Sequence, residues 1–73
     1  MPTIDMAATR ANIRRLRKAA GMTIADIQVL CGISVAAIGK WQRDDAVPTI
    51  DNLVILAAAW NIRMDDIIVV RTA

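Results

Sequence analysis

The sequence predicts an all-α fold, a five-helix bundle around one core, with a short β pairing of the chain ends as its single addition. Three observations predict it. Apolar residues recur at three- and four-residue steps along most of the chain. β-branched alternation never lasts long enough to build a sheet. Ser, Thr, Gly, Asn and Pro fall where the periodic stretches start and stop. With 73 residues the chain buries only about 60–65% of the surface its unfolded form exposes, which leaves no material for a second core. One domain spanning 1–73 is expected.

The first helix starts near Met6, and Met6, Thr9, Ile13, Leu16 and Ala20 form its inward stripe. The arginines then fall on the opposite face, and Gly21 stands where a left-handed helix end requires it. Thr23 offers a side-chain oxygen to the next helix, with Asp26 at the capping-box position three residues on. That helix runs from Ile24 to Cys31 and turns Ile27, Leu30 and Cys31 inward. Gly32 supplies the turn, and Ile33 follows, buried. Ser34 caps a third helix over 35–43. Ala37, Ile38 and Trp41 line its inner side, and Val35, Ala36, Gly39, Lys40 and Arg43 its outer side. Gly39 weakens this helix by about 0.5–1 kcal/mol relative to Ala, a cost that marks a close approach by another backbone.

Asp44, Asp45 and Ala46 make a polar turn, and Pro48 holds Val47 extended before Thr49 caps helix four. Ile50, Leu53, Val54, Leu56, Ala57 and Trp60 give helix four its apolar character, and Asn61 suits a left-handed end. A short fifth helix over 64–68 presents Ile67 and Ile68 to the core, with Asp65 and Asp66 favourable at its positive end. The β-prone ends, TI at 3–4 and IIVV at 67–70, have three outcomes open: fraying, pairing as a ribbon, or packing of Val69 and Val70 across a dimer axis.

Composition narrows the function. An apolar fraction of 56% and a mean hydropathy of +0.43 exceed what one small monomer readily hides, so a homodimer through the C-terminal stretch is expected. No apolar run approaches the roughly 20 residues of a membrane span, and the N-terminus lacks the order of a secretory signal. A cytoplasmic location without membrane contact follows. Cys31 is the sole cysteine, which excludes an intramolecular disulfide and leaves it as a small buried hydrophobe. The chain has no histidine, and its seven acids are all Asp. A nucleophile therefore lacks its usual base, so no enzyme, catalytic residue, metal site or cofactor is expected. The net charge is only +2, yet five of nine basic residues (Arg10, Arg14, Arg15, Arg17, Lys18) fall within one stretch. Such a cluster serves phosphate or forms a solvated helix face.

Two helices joined through a glycine turn, the second capped by Ser and anchored by Ile and Trp, describe a helix-turn-helix unit at about 23–43. The ordered pieces are LRK at 16–18, G-x-T at 21–23, G-I-S at 32–34, I-G-K-W at 38–41, the Pro before helix four and the N-I-x-M-D-D-I ending. Together they resemble the Xre or Cro/C1-type helix-turn-helix family, over residues 12–68. The resemblance implies a lambda-repressor-like bundle and a DNA-binding transcriptional regulator, sequence-specific or weakly so, with recognition helix 34–43 in the major groove of double-stranded DNA. Carried over position by position, it implies base reading by Ser34, Val35, Ala36, Gly39 and Lys40. It implies phosphate contact by Thr23, Ile24 (through its backbone) and Arg43, with Arg10 or Arg14 added from the basic cluster.

Several positions depart from the family pattern. Gln42 replaces the Glu that commonly follows the Trp, so a neutral Arg17–Gln42 contact is expected in place of an ion pair. Ile24 replaces a phosphate-binding Gln, although the amides at 22–24 remain able to meet an anion. Gln28 replaces a small Ala between the two helices. Asp44 and Asp45 stand where relatives carry Gly or Lys, and they repel phosphate. Among the base-reading positions only Lys40 has a polar head suited to a guanine, so specificity is low or comes from DNA shape. The alternative reading is a helix-turn-helix bundle used for protein association, antitoxin-like or a regulatory partner, with Val35, Ala36 and Gly39 as the contact.

Overall fold

The computed structural model describes residues 1–43 and 46–72, for residue 42 the backbone only. Strand β1 (Pro2–Ile4) is followed by helices α1 (Met6–Ala19), α2 (Ile24–Cys31), α3 (Val35–Gln42), α4 (Ile50–Trp60) and α5 (Met64–Ile67), and then strand β2 (Val70–Thr72). The five expected helices are present, and the chain ends pair as an antiparallel ribbon with Thr3 opposite Arg71 and Ile4 opposite Val70. The strand is displaced toward the C-terminus from the expected 67–70, because Ile67 completes α5.

The capping chemistry explains the helix boundaries. Asp5 ends β1 and starts α1: its carboxylate accepts the Ala8 N–H at 3.0 Å while its own N–H donates to the Val69 carbonyl at 2.8 Å. The Asp5 carbonyl accepts the Thr9 N–H, and the Val69 N–H donates to the Thr9 hydroxyl, at 2.9 Å. One residue thus closes the ribbon and opens the first helix. Thr23 and Asp26 form the expected capping box on α2, and Thr49 accepts the Asn52 N–H on α4. Gly21, Gly32 and Asn61 all hold positive φ at helix ends, at 70°, 64° and 55°.

The core is a single cluster of Ile13, Ile27, Ile38, Trp41, Leu53, Leu56, Ala57 and Ile67. Every helix contributes to it, which is what a chain with one core requires. The inward stripes need four corrections. Met6 and Ala20 lie outside the core, so the α1 stripe is shorter than expected. Arg10 is buried at 8% exposure rather than solvated, because residues 10, 13, 14 and 17 share a seam beside the apolar stripe instead of opposing it. Leu30 is exposed, and Ile33 and Cys31 are half-buried. On α4, Ile50 and Val54 face outward at 73% and 54% exposure. The apolar surplus read from composition therefore appears on the surface, with Val29 at 85% the most open large apolar residue after Met1. Among the described residues, no single helix is long and apolar enough to cross a membrane.

Two side-chain clamps tie α1 to the end of the chain. The Asn12 amide donates to the carbonyls of Asp66 and Ile67 at 2.7 and 3.0 Å. The Thr9 hydroxyl is the other. Both act across more than fifty residues and fix the ribbon and α5 against α1.

Candidate nucleic-acid interface

Helices α2 and α3 meet through a three-residue turn with a bend of 113° between them, within the range of a helix-turn-helix. The turn is built locally. Gly32 ends α2 in the left-handed region, and the Ser34 hydroxyl oxygen accepts the Ala37 N–H at 3.1 Å to start α3. Ile38 and Trp41, 2% and 7% exposed, anchor the inner side of α3. Trp41 lines a small cavity of about 10 Å³ together with Ile13, Ile24, Ile27, Ile38 and Leu56. Arg10, Arg14 and Arg17 complete that lining. Trp41 thus joins the third helix to helices one and four, as its position in the sequence implies.

With that side buried, the outer face of α3 is left to solvent. Ser34, Val35, Ala36, Lys40 and Arg43 are exposed, and Gly39 is half-buried between them. The structure therefore brings the expected base-reading residues Ser34, Val35, Ala36, Gly39 and Lys40 onto one continuous surface. Gly39 does meet a close neighbour, and it is a side chain rather than a backbone: the Arg43 guanidinium lies over it.

The N-terminus of α2 differs from expectation. Of the three amides at 22–24, the Met22 N–H donates to the Arg17 carbonyl and the Thr23 N–H to the Asp26 carboxylate, at 3.1 and 2.8 Å. The first intrahelical bond runs from the Ile27 N–H to the Thr23 carbonyl. Ile24 and Ala25 therefore supply the amides that lack an acceptor inside the helix. An anion approaching here also meets the Asp26 carboxylate, which the capping box holds at this end. Arg14 is half-buried beside the same cavity as Ile24, and Arg10 nearly closed off. Arg15 folds back onto the Asn12 side-chain oxygen Oδ1, with its shorter contact at 2.6 Å, and Lys18 is exposed.

Sequence reading missed one support of this surface. The carbonyl of Met22 accepts from Arg17 Nη1 at 2.8 Å, and its thioether accepts the Trp60 indole N–H at 3.0 Å. Helices α1 and α4 thereby hold the residue that precedes the α2 cap. The expected Arg17–Gln42 contact and the acidic pair Asp44–Asp45 lie outside the described residues. Gln28 is exposed rather than packed between α2 and α3. Burial pushes the Cys31 thiol up from its ordinary value. Among the described residues, no group of His, Cys, Asp or Glu gathers to hold a metal.

Comparison with known proteins agrees with this geometry. A family model described as helix-turn-helix matches residues 13–67. A search of curated proteins gives no match. Among solved structures, the chain is similar to the restriction-modification controller protein C.AhdI from Aeromonas hydrophila, with a TM-score of 0.73 and 24% identity, covering 86% of this chain and 96% of that one.

Proposed function

We propose, from the premise that this chain belongs to the helix-turn-helix family, that it is a DNA-binding transcription regulator of the Cro/C1 type, acting in the cytoplasm as a binding module without catalysis. The observation that carries the reading is the division of α3. Ile38 and Trp41 lock one side into the core while Val35, Ala36 and Lys40 stand exposed on the other, an arrangement suited to a helix laid in the major groove.

In this reading the single domain 1–73 uses the unit 23–43 to dock. Lys40 takes a guanine acceptor, and Ser34, Val35 and Ala36 approach base edges, the two apolar ones suited to a thymine methyl. The α2 N-terminus at Thr23 and Ile24, with Arg14 and the edge of Arg10, meets phosphate. Arg43 stands at the border of the two sets. A homodimer through the C-terminal stretch supplies the second half-site. Monomeric elution from gel filtration at high micromolar concentration removes that part.

The test compares two substitutions on DNA selected from a mixed pool. Lys40→Ala is expected to relax preference at one base pair by about 1–3 kcal/mol, while Arg14→Ala weakens all sequences alike and lowers the salt slope by about one. Equal loss on every sequence for both shows that Lys40 reads no base.

A second reading, protein association in the manner of an antitoxin or regulatory partner, draws on Val35 at 54% exposure and on the open apolar side chains Val29 and Ile50. Saturable binding of a protein partner with no salt-sensitive DNA binding would favour it.

A further inference from the structure

Glycine is the poorest ordinary residue for a helix interior, and α3 carries one at its centre. The place a Cβ would take there is occupied. A Cβ built on Gly39 would stand 2.9 Å from Arg43 Nη1, 3.6 Å from Cζ and 3.8 Å from Nη2. Carbon and nitrogen atoms in ordinary contact need about 3.5 Å, so a Cβ would push the Nη1 end of the guanidinium off this position by about half an ångström, and the bare Cα of Gly39 is what lets it lie there.

The direction is set by helix geometry. Side chains on a helix lean toward its N-terminus and cover the turn before their own Cα. Arg43, one residue past the end of α3, therefore carries its charge back by one turn. That brings it from the rim of the helix onto the outer face shared by Val35, Ala36, Gly39 and Lys40. Over Gly39 the charge stands at the middle of α3, one turn nearer the N-terminal residues that in a recognition helix reach base edges. A planar fork held there suits the paired acceptors O6 and N7 of a guanine, whereas a phosphate is met equally well from the rim.

We propose that Gly39 and Arg43 form one base-reading unit, in which Gly39 seats the Arg43 guanidinium on the groove side of α3 and Arg43 selects a guanine. The inference rests on the DNA-binding reading above and adds a specificity determinant to it. Arg43 then supplies the second polar reader on a face where Lys40 is otherwise alone. Gly39 acts through Arg43 and is a positioning residue.

The experiment uses the full chain, a mixed-sequence duplex pool and sequencing of retained DNA, for the native protein, Arg43→Lys and Gly39→Ala. Arg43→Lys keeps the charge and removes the fork, so preference for guanine at one base pair is expected to fall about tenfold or more, with other positions unchanged. Gly39→Ala is expected to reduce preference at that same base pair while raising the melting temperature, since Ala favours the helix. A purely structural glycine would not couple a gain in stability to a loss at one base pair. An unchanged base ranking in Gly39→Ala, or a uniform loss across all sequences in Arg43→Lys, overturns the proposal while leaving DNA binding intact. Absence of any salt-sensitive binding by the native chain overturns both.

Discussion

Replacement of Thr9 by Val removes a hydroxyl and leaves volume almost unchanged. Thr9 is 2% exposed, so the new methyl meets no water and creates no cavity. The hydroxyl accepts the Val69 N–H at 2.9 Å and donates to the Val69 carbonyl at 3.4 Å. The carbonyl keeps its stronger bond from Asp5, at 2.8 Å. The N–H has no second bond of this kind, since the Asp5 carbonyl opposite it accepts the Thr9 N–H instead. Leaving one part-buried donor without an acceptor costs about 1–3 kcal/mol.

Total stability for a chain of this size is roughly 4–11 kcal/mol, from about 0.05–0.15 kcal/mol per residue, so the loss is a large share of it. At about 4–8 °C per kcal/mol for a small domain, a mid-range loss lowers the melting temperature by roughly 8–16 °C. The assay is thermal and urea unfolding followed by far-ultraviolet circular dichroism, with Thr9→Ser as the control that keeps the oxygen. A Thr9→Val protein within about 0.5 kcal/mol of the native one, the usual spread of neutral surface changes, would refute the reasoning. It would show that the ribbon opens at no cost to the bundle.

Three further outcomes are expected. Gly32→Ala meets no atom within 4 Å but must hold a positive φ, so it should lose about 1–2 kcal/mol in urea unfolding from the backbone alone; a neutral result refutes the left-handed turn. Asn12→Ala removes the donor to the carbonyls of Asp66 and Ile67. It should cost about 1 kcal/mol and speed hydrogen exchange in residues 64–70 more than in α2; uniform acceleration refutes the clamp. Burial raises the Cys31 thiol, so the folded chain keeps its proton at a pH where the unfolded chain has lost it. This contribution is fully present below the unfolded thiol's range and is lost as pH rises through the folded one. Urea midpoints of the native chain should thus fall more than those of Cys31→Ala on going from neutral to alkaline pH; parallel falls refute it.

The local part of the fold was legible because caps and turns are written in adjacent residues. Thr23 with Asp26, Ser34, Thr49, Gly32 and Asn61 each mark a boundary that the structure keeps. Burial was less legible. An apolar residue at helical spacing identifies a face, but nothing local says whether a neighbour covers it, and Leu30, Ile50 and Val54 are uncovered. Arg10 illustrates the converse, a charged residue that the seam beside the apolar stripe buries.

The outer face of α3 was also legible, as residues left over once Ile38 and Trp41 turn inward. The supports of the site were not. Thr9 with Val69, Asn12 with α5, and Met22 held by Arg17 and Trp60 include partners far apart in sequence, and no periodicity pairs them. The meaning of Gly39 depends on the rotamer of Arg43 one turn later. The sequence shows the cost of that glycine but not what occupies the space.

The central claim is that α3 binds DNA. It is tested most directly by fluorescence anisotropy of a labelled mixed-sequence duplex pool titrated with the protein at several salt concentrations, with sequencing of the retained DNA. The account predicts affinity that falls steeply and linearly in log–log form with salt, and enrichment of a palindromic sequence among the bound duplexes. No binding even at low salt would contradict it.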